Sequence, residues 1–291
     1  MQRLMYGTAW KKDTTADLVF KALKVGFRAI DTAAQPRHYN EALVGAGIQE
    51  AINKGVVRRE DIFIQTKFTP IGGQDPDNMP YDRHAPLDKQ VHASVASSLH
   101  NFSFGDPDKA YLDSLVLHSP PSSHFVDLLV VWRALETYVP HRIRLLGISN
   151  TNQRMLDKLC TSPDIRVRPR IVQNRFYPET RWEVDMRAYC RDRDIVFQTF
   201  WTLSGNPELL DSAPVKTLAE EAGITSQVAM YALVLGLGGT TILDGTKDEA
   251  HMKEDLKVDK VLDEYVQTQH GRAIWDACLM GFKHIIGDPL Q

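Results

Sequence analysis

Short apolar runs alternate with longer amphipathic stretches along most of the chain. Residues 4–6 form the first run. Residues 14–24 read as a helix: Leu18, Ala22 and Val25 mark one face, and Thr14 with Asp17 makes a capping box. Gly26 stops that helix, and residues 27–31 follow as a second strand. The pattern then predicts a helix over 43–53, whose glycines lower its propensity, and a strand over 62–67. The helix over 89–99 carries Val91, Val95 and Leu99 four residues apart on one face. Strand 112–117, helix 125–137 ended near Pro140, and strand 143–148 come next. Strands 170–173 and 194–199, helices 213–222 and 227–235 around Gly223, and strand 240–243 complete the series.

Eight strands with helices between them predict an α/β fold, a (β/α)8 TIM barrel built as a single domain over 1–291. The rival, a doubly wound sheet, needs a glycine-rich phosphate turn after its first strand. Gly7-Thr8-Ala9-Trp10 stands there instead. The stretch 68–87 is rich in Gly, Pro and Asp and is long for a loop; its place after a strand end marks it as a lid or substrate wall. Residues 258–291 form a C-terminal segment whose Trp275, Leu279 and Phe282 either cover an opening of the barrel or pack on its outside.

Composition narrows the function classes. The 291 residues carry a formal charge of -3 with both signs mixed, which is no nucleic-acid footprint. The basic run 166–170, and Arg142 and Arg144, read as solvated loop and surface charges. Cys160, Cys190 and Cys278 are too far apart for a disulfide framework or a compact metal motif, so no metal is expected. The start of the chain lacks a secretory pattern, and residues 228–237, the longest apolar candidate, are too short to cross a bilayer. A soluble cytoplasmic protein with no membrane or nucleic-acid partner is the expectation.

Four residues able to hold or move a proton fall at or just past strand ends: Asp31, Tyr39, Lys67 and His118. In a parallel barrel those ends share one rim, where chemistry is placed. A free phenol has a pKa near 10, and a nearby ammonium lowers it. Lys67 supplies that charge, Asp31 orients Lys67, and His118 orients a carbonyl or shares the proton transfer. Each residue taken singly has an ordinary structural account; their joint placement points to general acid catalysis of carbonyl reduction.

With their flanks, these residues resemble the aldo-keto reductase family across nearly the entire chain. The match runs through YGTAW at 6–10, GFRAIDTA at 26–33, YNE at 39–41, TK at 66–67, LHSP at 117–120, GISN at 147–150 and VQN at 172–174. The resemblance implies a (β/α)8 barrel that moves hydride between a nicotinamide and a carbonyl or alcohol. It makes Tyr39 the general acid, Lys67 the group that lowers its pKa, Asp31 the support of Lys67, and His118 the aligner of the substrate carbonyl. It places Gly7, Thr8 and Asp31 at the cofactor, assigns Ser149, Asn150 and Gln173 to the nicotinamide carboxamide, and expects an aromatic on the ring after the seventh strand, Phe200 ahead of Trp201. Trp10, Trp201 and the 68–87 loop become substrate walls that suit an apolar or aromatic carbonyl compound.

Two departures stand out. The family's tyrosine follows its aspartate by five residues, whereas Tyr39 is eight after Asp31. The family's Lys-Ser pair and arginine for the adenosine 2′-phosphate are replaced here by Gly245 and Thr246, and by His251; Lys247 adds a cation, and Glu254 and Asp255 resemble the adenine-side pair. NADP(H) is the expected cofactor with NAD(H) as the alternative, and a monomer is the expected state. The rival functions are a nicotinamide-binding regulatory subunit without turnover, and a cyclase or isomerase working without net redox.

Overall fold

The computed structural model describes residues 2–289; residue 1, and residues 290 and 291 of the expected C-terminal segment, lie outside the described residues. The strands are β1 (Leu4–Gly7), β2 (Ala29–Asp31), β3 (Phe63–Phe68), β4 (Leu112–Leu117), β5 (Ile143–Ser149), β6 (Ile171–Arg175), β7 (Val196–Phe200) and β8 (Thr240–Asp244). They form a closed barrel in the order β1 to β8, the (β/α)8 architecture that the alternating pattern predicts. The described residues divide into two compact units: Met5–Gln173, and residues 2–4 together with 174–289.

The first unit holds α1 (Thr15–Val25), α2 (Glu41–Asn53), α3 (Leu87–Asn101), α4 (Phe125–Glu136) and α5 (Gln153–Thr161). Its strands pair in parallel, with Gly7 beside Asp31, Asp31 beside Gln65, Lys67 beside Val116, and Leu117 beside Ile148. That register sets the C-terminal ends of β1 to β5 side by side. The capping box expected at Thr14 is absent: its hydroxyl donates to the Lys11 carbonyl at 2.7 Å, and α1 begins one residue later. Gly26 ends α1 with φ 131°, a conformation that other residues rarely adopt. Asn40 starts α2 by accepting from the Leu43 amide at 3.1 Å. The α2 glycines, weak helix formers, are required by packing. A Cβ on Gly45 would collide with the Asn101 carbonyl oxygen, and one on Gly47 with that of Ala16. Helix α5, which the sequence pattern did not predict, is nine residues long and buries Leu156 and Leu159.

The second unit holds α6 (Val184–Arg191), α7 (Pro207–Leu210), α8 (Ala213–Ala222), α9 (Ser226–Gly236), α10 (Glu249–Asp255), α11 (Val258–Asp263) and α12 (Gln269–Ile286). Residues Val228 to Val234 of α9 are all buried, which explains an apolar run with no polar face. Among the described residues no helix is long and apolar enough to cross a membrane. Trp275 and Phe282 are buried where α12 packs against α8 and α9; the Trp275 ring occupies the space beside Gly236. Beyond α12, Asp288 pairs with the fully buried Arg187 of α6 at 2.7 Å.

Close helix contact at Gly47 gives a direct test. Gly47→Ala is expected to destabilise the protein by about 1–3 kcal/mol in urea unfolding, since the neighbouring backbone must move. Gly72→Ala, with open space around its Cβ and no positive φ, is expected to leave the midpoint unchanged.

Candidate active site

Asp31 ends β2 and is 1 % exposed. Its Oδ2 lies 2.5 Å from the Lys67 ammonium, while Oδ1 accepts from Gln65 Nε2 at 2.7 Å and from Gln173 Nε2 at 3.1 Å. Lys67, also 1 % exposed, donates again to the Thr32 carbonyl at 2.8 Å. Burial pushes the Lys67 pKa down, against the attraction of Asp31 and Glu41. A buried ion pair adds little net stability, but removing one partner strands the other charge. The pair therefore fixes the position of a cation more than it holds the fold together.

The eight-residue spacing to Tyr39 has a simple geometry. After Asp31 the chain stays extended beside β3: the Thr32 amide donates to the Gln65 carbonyl, and the Ala34 amide to that of Lys67 at 3.0 Å. A turn then folds it back, with the His38 and Tyr39 amides both donating to the Gln35 carbonyl. The extra residues are spent on this extension and turn. The Tyr39 ring centroid ends 5.3 Å from the Lys67 ammonium nitrogen and 6.0 Å from the His118 ring. The expected downward pull of Lys67 on the phenol does not prevail: burial first, then the Asp31 charge, push the Tyr39 pKa above its ordinary value. Tyr39 is thus a protonated phenol at neutral pH, in the state a proton donor needs.

His118 follows β4, its amide bonded to the Phe68 carbonyl at 2.8 Å. Its Nδ1 sits 2.7 Å from Thr69 Oγ1. Burial, then the charges of Lys67 and His38, hold its pKa at about 3, so the ring is neutral. Asp31, Tyr39, Lys67 and His118 are therefore brought together by the ends of β2, β3 and β4.

Thr8 braces this rim: its amide and hydroxyl both donate to the Asp31 carbonyl at 3.0 Å, beside Gly7. Trp10 is 58 % exposed, has φ 63°, and stacks on His38 with ring centroids 3.9 Å apart. Its amide donates to the His38 carbonyl at 2.8 Å, so the inserted loop holds this indole in place. Ser149 and Gln173 are buried, and Asn150 next to them is exposed, with φ 48°. Asn150 Nδ2 donates to the His118 carbonyl at 2.8 Å, and Ser149 Oγ to the Gln173 carbonyl at 2.5 Å. Left-handed backbone at non-glycine residues costs about 1–3 kcal/mol each and clusters at functional sites. A hydroxyl and two amides at one rim match the donor and acceptor needs of a carboxamide, so the donor set fits a nicotinamide.

The second unit places the remaining candidates. Phe200 ends β7 and Trp201 follows, 50 % exposed with φ 62°; the Arg175 guanidinium lies 5.3 Å from the first ring and 4.7 Å from the second. Gly245 and Thr246 follow β8, and the Thr246 amide donates to Asp244 at 3.0 Å. Lys247 and His251 are exposed. Between them, Asp248 caps α10 by accepting from the Ala250 and His251 amides at 2.7 and 3.1 Å. Glu254 pairs with Lys257 at 2.6 Å. Asp255 is 5 % exposed; burial and the adjacent Asp244 carboxylate hold its pKa well above the ordinary range.

Sequence reasoning missed Gln65 and Glu41. Gln65 carried a signal: it lies two residues before Lys67, hence on the same strand face. Glu41, the first residue of α2, is buried; its carboxylate accepts from Thr66, from Ser98 at 2.9 and 3.0 Å, and from Asn101 at 3.2 Å. Nothing local distinguishes it from a first-turn glutamate.

Residues 3–272 match the family model described as the Aldo/keto reductase family. The chain belongs to that family. Its members' shared chemistry, NAD(P)H-dependent carbonyl reduction, makes this aldo/keto reductase an oxidoreductase. The uncharacterized oxidoreductase YtbE of Bacillus subtilis is 30% identical over 238 residues, 81% of this chain and 75% of its own. A probable NAD(P)H-dependent D-xylose reductase of Arthroderma otae is 27% identical over 254 residues, covering 74% of this chain and 71% of its own. An aldo-keto reductase structure from a deep-sea metagenome library shares the fold, with a TM-score of 0.73 at 21% identity over 96% of this chain and 91% of its own. One from the silkworm, Bombyx mori, has a TM-score of 0.73 at 23% identity over 96% of this chain and 84% of its own.

The depressed His118 pKa has a consequence for stability. Between its ordinary 6.5 and about 3, an unfolded chain binds a proton there that the folded chain refuses. This residue therefore makes stability fall as pH drops through that window. In urea titrations across it, His118→Gln is expected to show a shallower decline than wild type; equal slopes would contradict the neutral ring.

Proposed function

We propose that this aldo/keto reductase reduces a small aldehyde or ketone to its alcohol with NADPH, and that its substrate carries an apolar or aromatic group. The observation that carries the reading is the Asp31–Lys67 pair set against Tyr39, with His118 beside the phenol. Asp31, Tyr39, Lys67 and His118 are the proposed catalytic machinery. When bound, the nicotinamide supplies the hydride.

Each residue then has one task. The neutral His118 ring leaves Nε2 to face the substrate and aligns the carbonyl oxygen. Tyr39 keeps its proton through substrate binding, because burial disfavours phenolate. As negative charge develops on the carbonyl oxygen, the phenol donates its proton to that oxygen. Lys67 stabilises the tyrosinate so formed, and Asp31 keeps the ammonium in place. Ser149, Asn150 and Gln173 would hold the carboxamide, and Phe200 is the aromatic proposed to contact the nicotinamide ring. Gly7, Thr8, Gly245, Thr246, Glu254 and Asp255 complete the proposed cofactor contacts.

NADPH is favoured by the exposed ammonium of Lys247 after β8, with the exposed His251 side chain on the helix that follows. Asp248 favours the alternative, NADH, since its carboxylate already takes the α10 amides that an anion would use. Trp10 and Trp201, with the 68–87 segment, form the proposed substrate walls. Their exposed faces support an apolar or aromatic carbonyl compound. The protein is proposed to act as a monomer in the cytoplasm.

Steady-state turnover of an aldehyde and ketone panel tests the reading. Tyr39→Phe is expected to lower kcat by about 10²–10⁴-fold while leaving NADPH affinity intact. Titration of both dinucleotides into wild type is expected to give tighter binding of NADPH, and Lys247→Ala to narrow that difference. Reduction at wild-type rate by Tyr39→Phe would remove the proposed proton donor.

A further inference from the structure

Phe68 pairs with Leu117 across the parallel β3–β4 ladder. One residue further, the ladder sets Thr69 beside His118, and the His118 amide still bonds to the Phe68 carbonyl at 2.8 Å. The two side chains meet: Thr69 Oγ1 lies 2.7 Å from His118 Nδ1. Thr69 is only 1 % exposed and is held from behind. Its carbonyl accepts from the Tyr81 hydroxyl at 2.6 Å and from Gln74 Nε2 at 3.2 Å. The same Gln74 amide also donates to the Ala34 carbonyl at 2.8 Å, and Gln35 Nε2 to the Gly73 carbonyl at 2.6 Å. The 68–87 segment and the loop that carries Tyr39 are thus strapped together, with Thr69 at the junction.

The direction of the Thr69–His118 bond follows from counting partners. Among the described residues the Thr69 hydroxyl has no other hydrogen-bond partner. A buried hydroxyl proton with one available acceptor goes to that acceptor, because leaving it unpaired is costly. A neutral imidazole that accepts at Nδ1 carries its own proton on Nε2. We propose that Thr69 is a positioning residue which, by donating to Nδ1, fixes the His118 ring and presents an Nε2–H to the substrate carbonyl. This rests on the reading of His118 as the group that aligns that carbonyl. With the opposite tautomer, Nε2 would offer a lone pair to a carbonyl oxygen and repel it.

The test uses histidine-selective ¹⁵N labelling, with His118→Gln to assign the signal, alongside reduction kinetics with NADPH. Wild type is expected to show His118 protonated on Nε2 with a hydrogen-bonded, unprotonated Nδ1. Thr69→Val keeps the shape and removes the donor. It is expected to lose the hydrogen-bonded Nδ1 signature and about tenfold in kcat, the worth of one buried hydrogen bond, with the KM for NADPH unchanged. Thr69→Ser is expected to restore both. A proton on Nδ1 in wild type would overturn the proposal, and that spectrum decides it even if Thr69→Val does not fold. A Thr69→Val protein that keeps kcat, or loses it with the His118 signal unchanged, would overturn it too. Unchanged kcat in His118→Gln would instead remove the substrate-aligning role, a failure separate from the Nδ1 signature.

Discussion

The buried contact between Asp31 and Lys67 is the constraint around which the rim is organised. An ammonium and a carboxylate removed from water at 1 % exposure each are tolerable only if they are paired and hydrogen-bonded. The chain answers both carboxylate oxygens and two of the three ammonium N–H groups: besides the ion pair itself, Gln65 from β3, Gln173 from β6 and the Thr32 carbonyl after β2 turn toward the pair. These bonds leave Asp31 and Lys67 in one arrangement. The phenol of Tyr39 and the imidazole of His118 are then placed relative to a cation that does not move.

Neutrality of the surrounding groups follows from the same burial. Desolvation raises the Tyr39 pKa and lowers that of His118, so both rings are uncharged next to a fixed ammonium. Glu41 adds a second, more distant carboxylate, shielded by Thr66, Ser98 and Asn101. A protonated phenol, a neutral imidazole and a pre-placed cation suit a reaction in which negative charge appears on oxygen.

Much of this was legible in the sequence. The alternation of apolar runs and amphipathic stretches is enough for the barrel, because the strands are largely buried and helices such as α1 and α3 carry one apolar stripe. The four proton-handling residues were legible because strand ends share a rim in parallel topology. What escaped has identifiable causes. Gly45 and Gly47 look like helix breakers until the backbones of Asn101 and Ala16 are seen against them. Helices α5 and α6 are short, nine and eight residues, and interleave their buried Leu156 and Leu159, or Met186 and Tyr189, with charged residues. Thr14 resembles a cap but spends its hydroxyl on Lys11. Tyr39 breaks the family spacing, and only the extended path along β3 and the turn at Gln35 show how the extra residues are absorbed. Thr69 and Gln65 act through partners about 50 and 34 residues away, pairings fixed by strand register and invisible to local pattern.

In the proposed mechanism Lys67 and Tyr39 act as one unit. A double-mutant cycle on kcat for carbonyl reduction, built from Lys67→Met, Tyr39→Phe and the combined variant, addresses it most directly. If Lys67 works through the phenol, the combined variant is no slower than Tyr39→Phe alone, because removing the ammonium has no further effect once the hydroxyl is gone. Losses that multiply across the two single variants would show that the residues act independently and would contradict the claim.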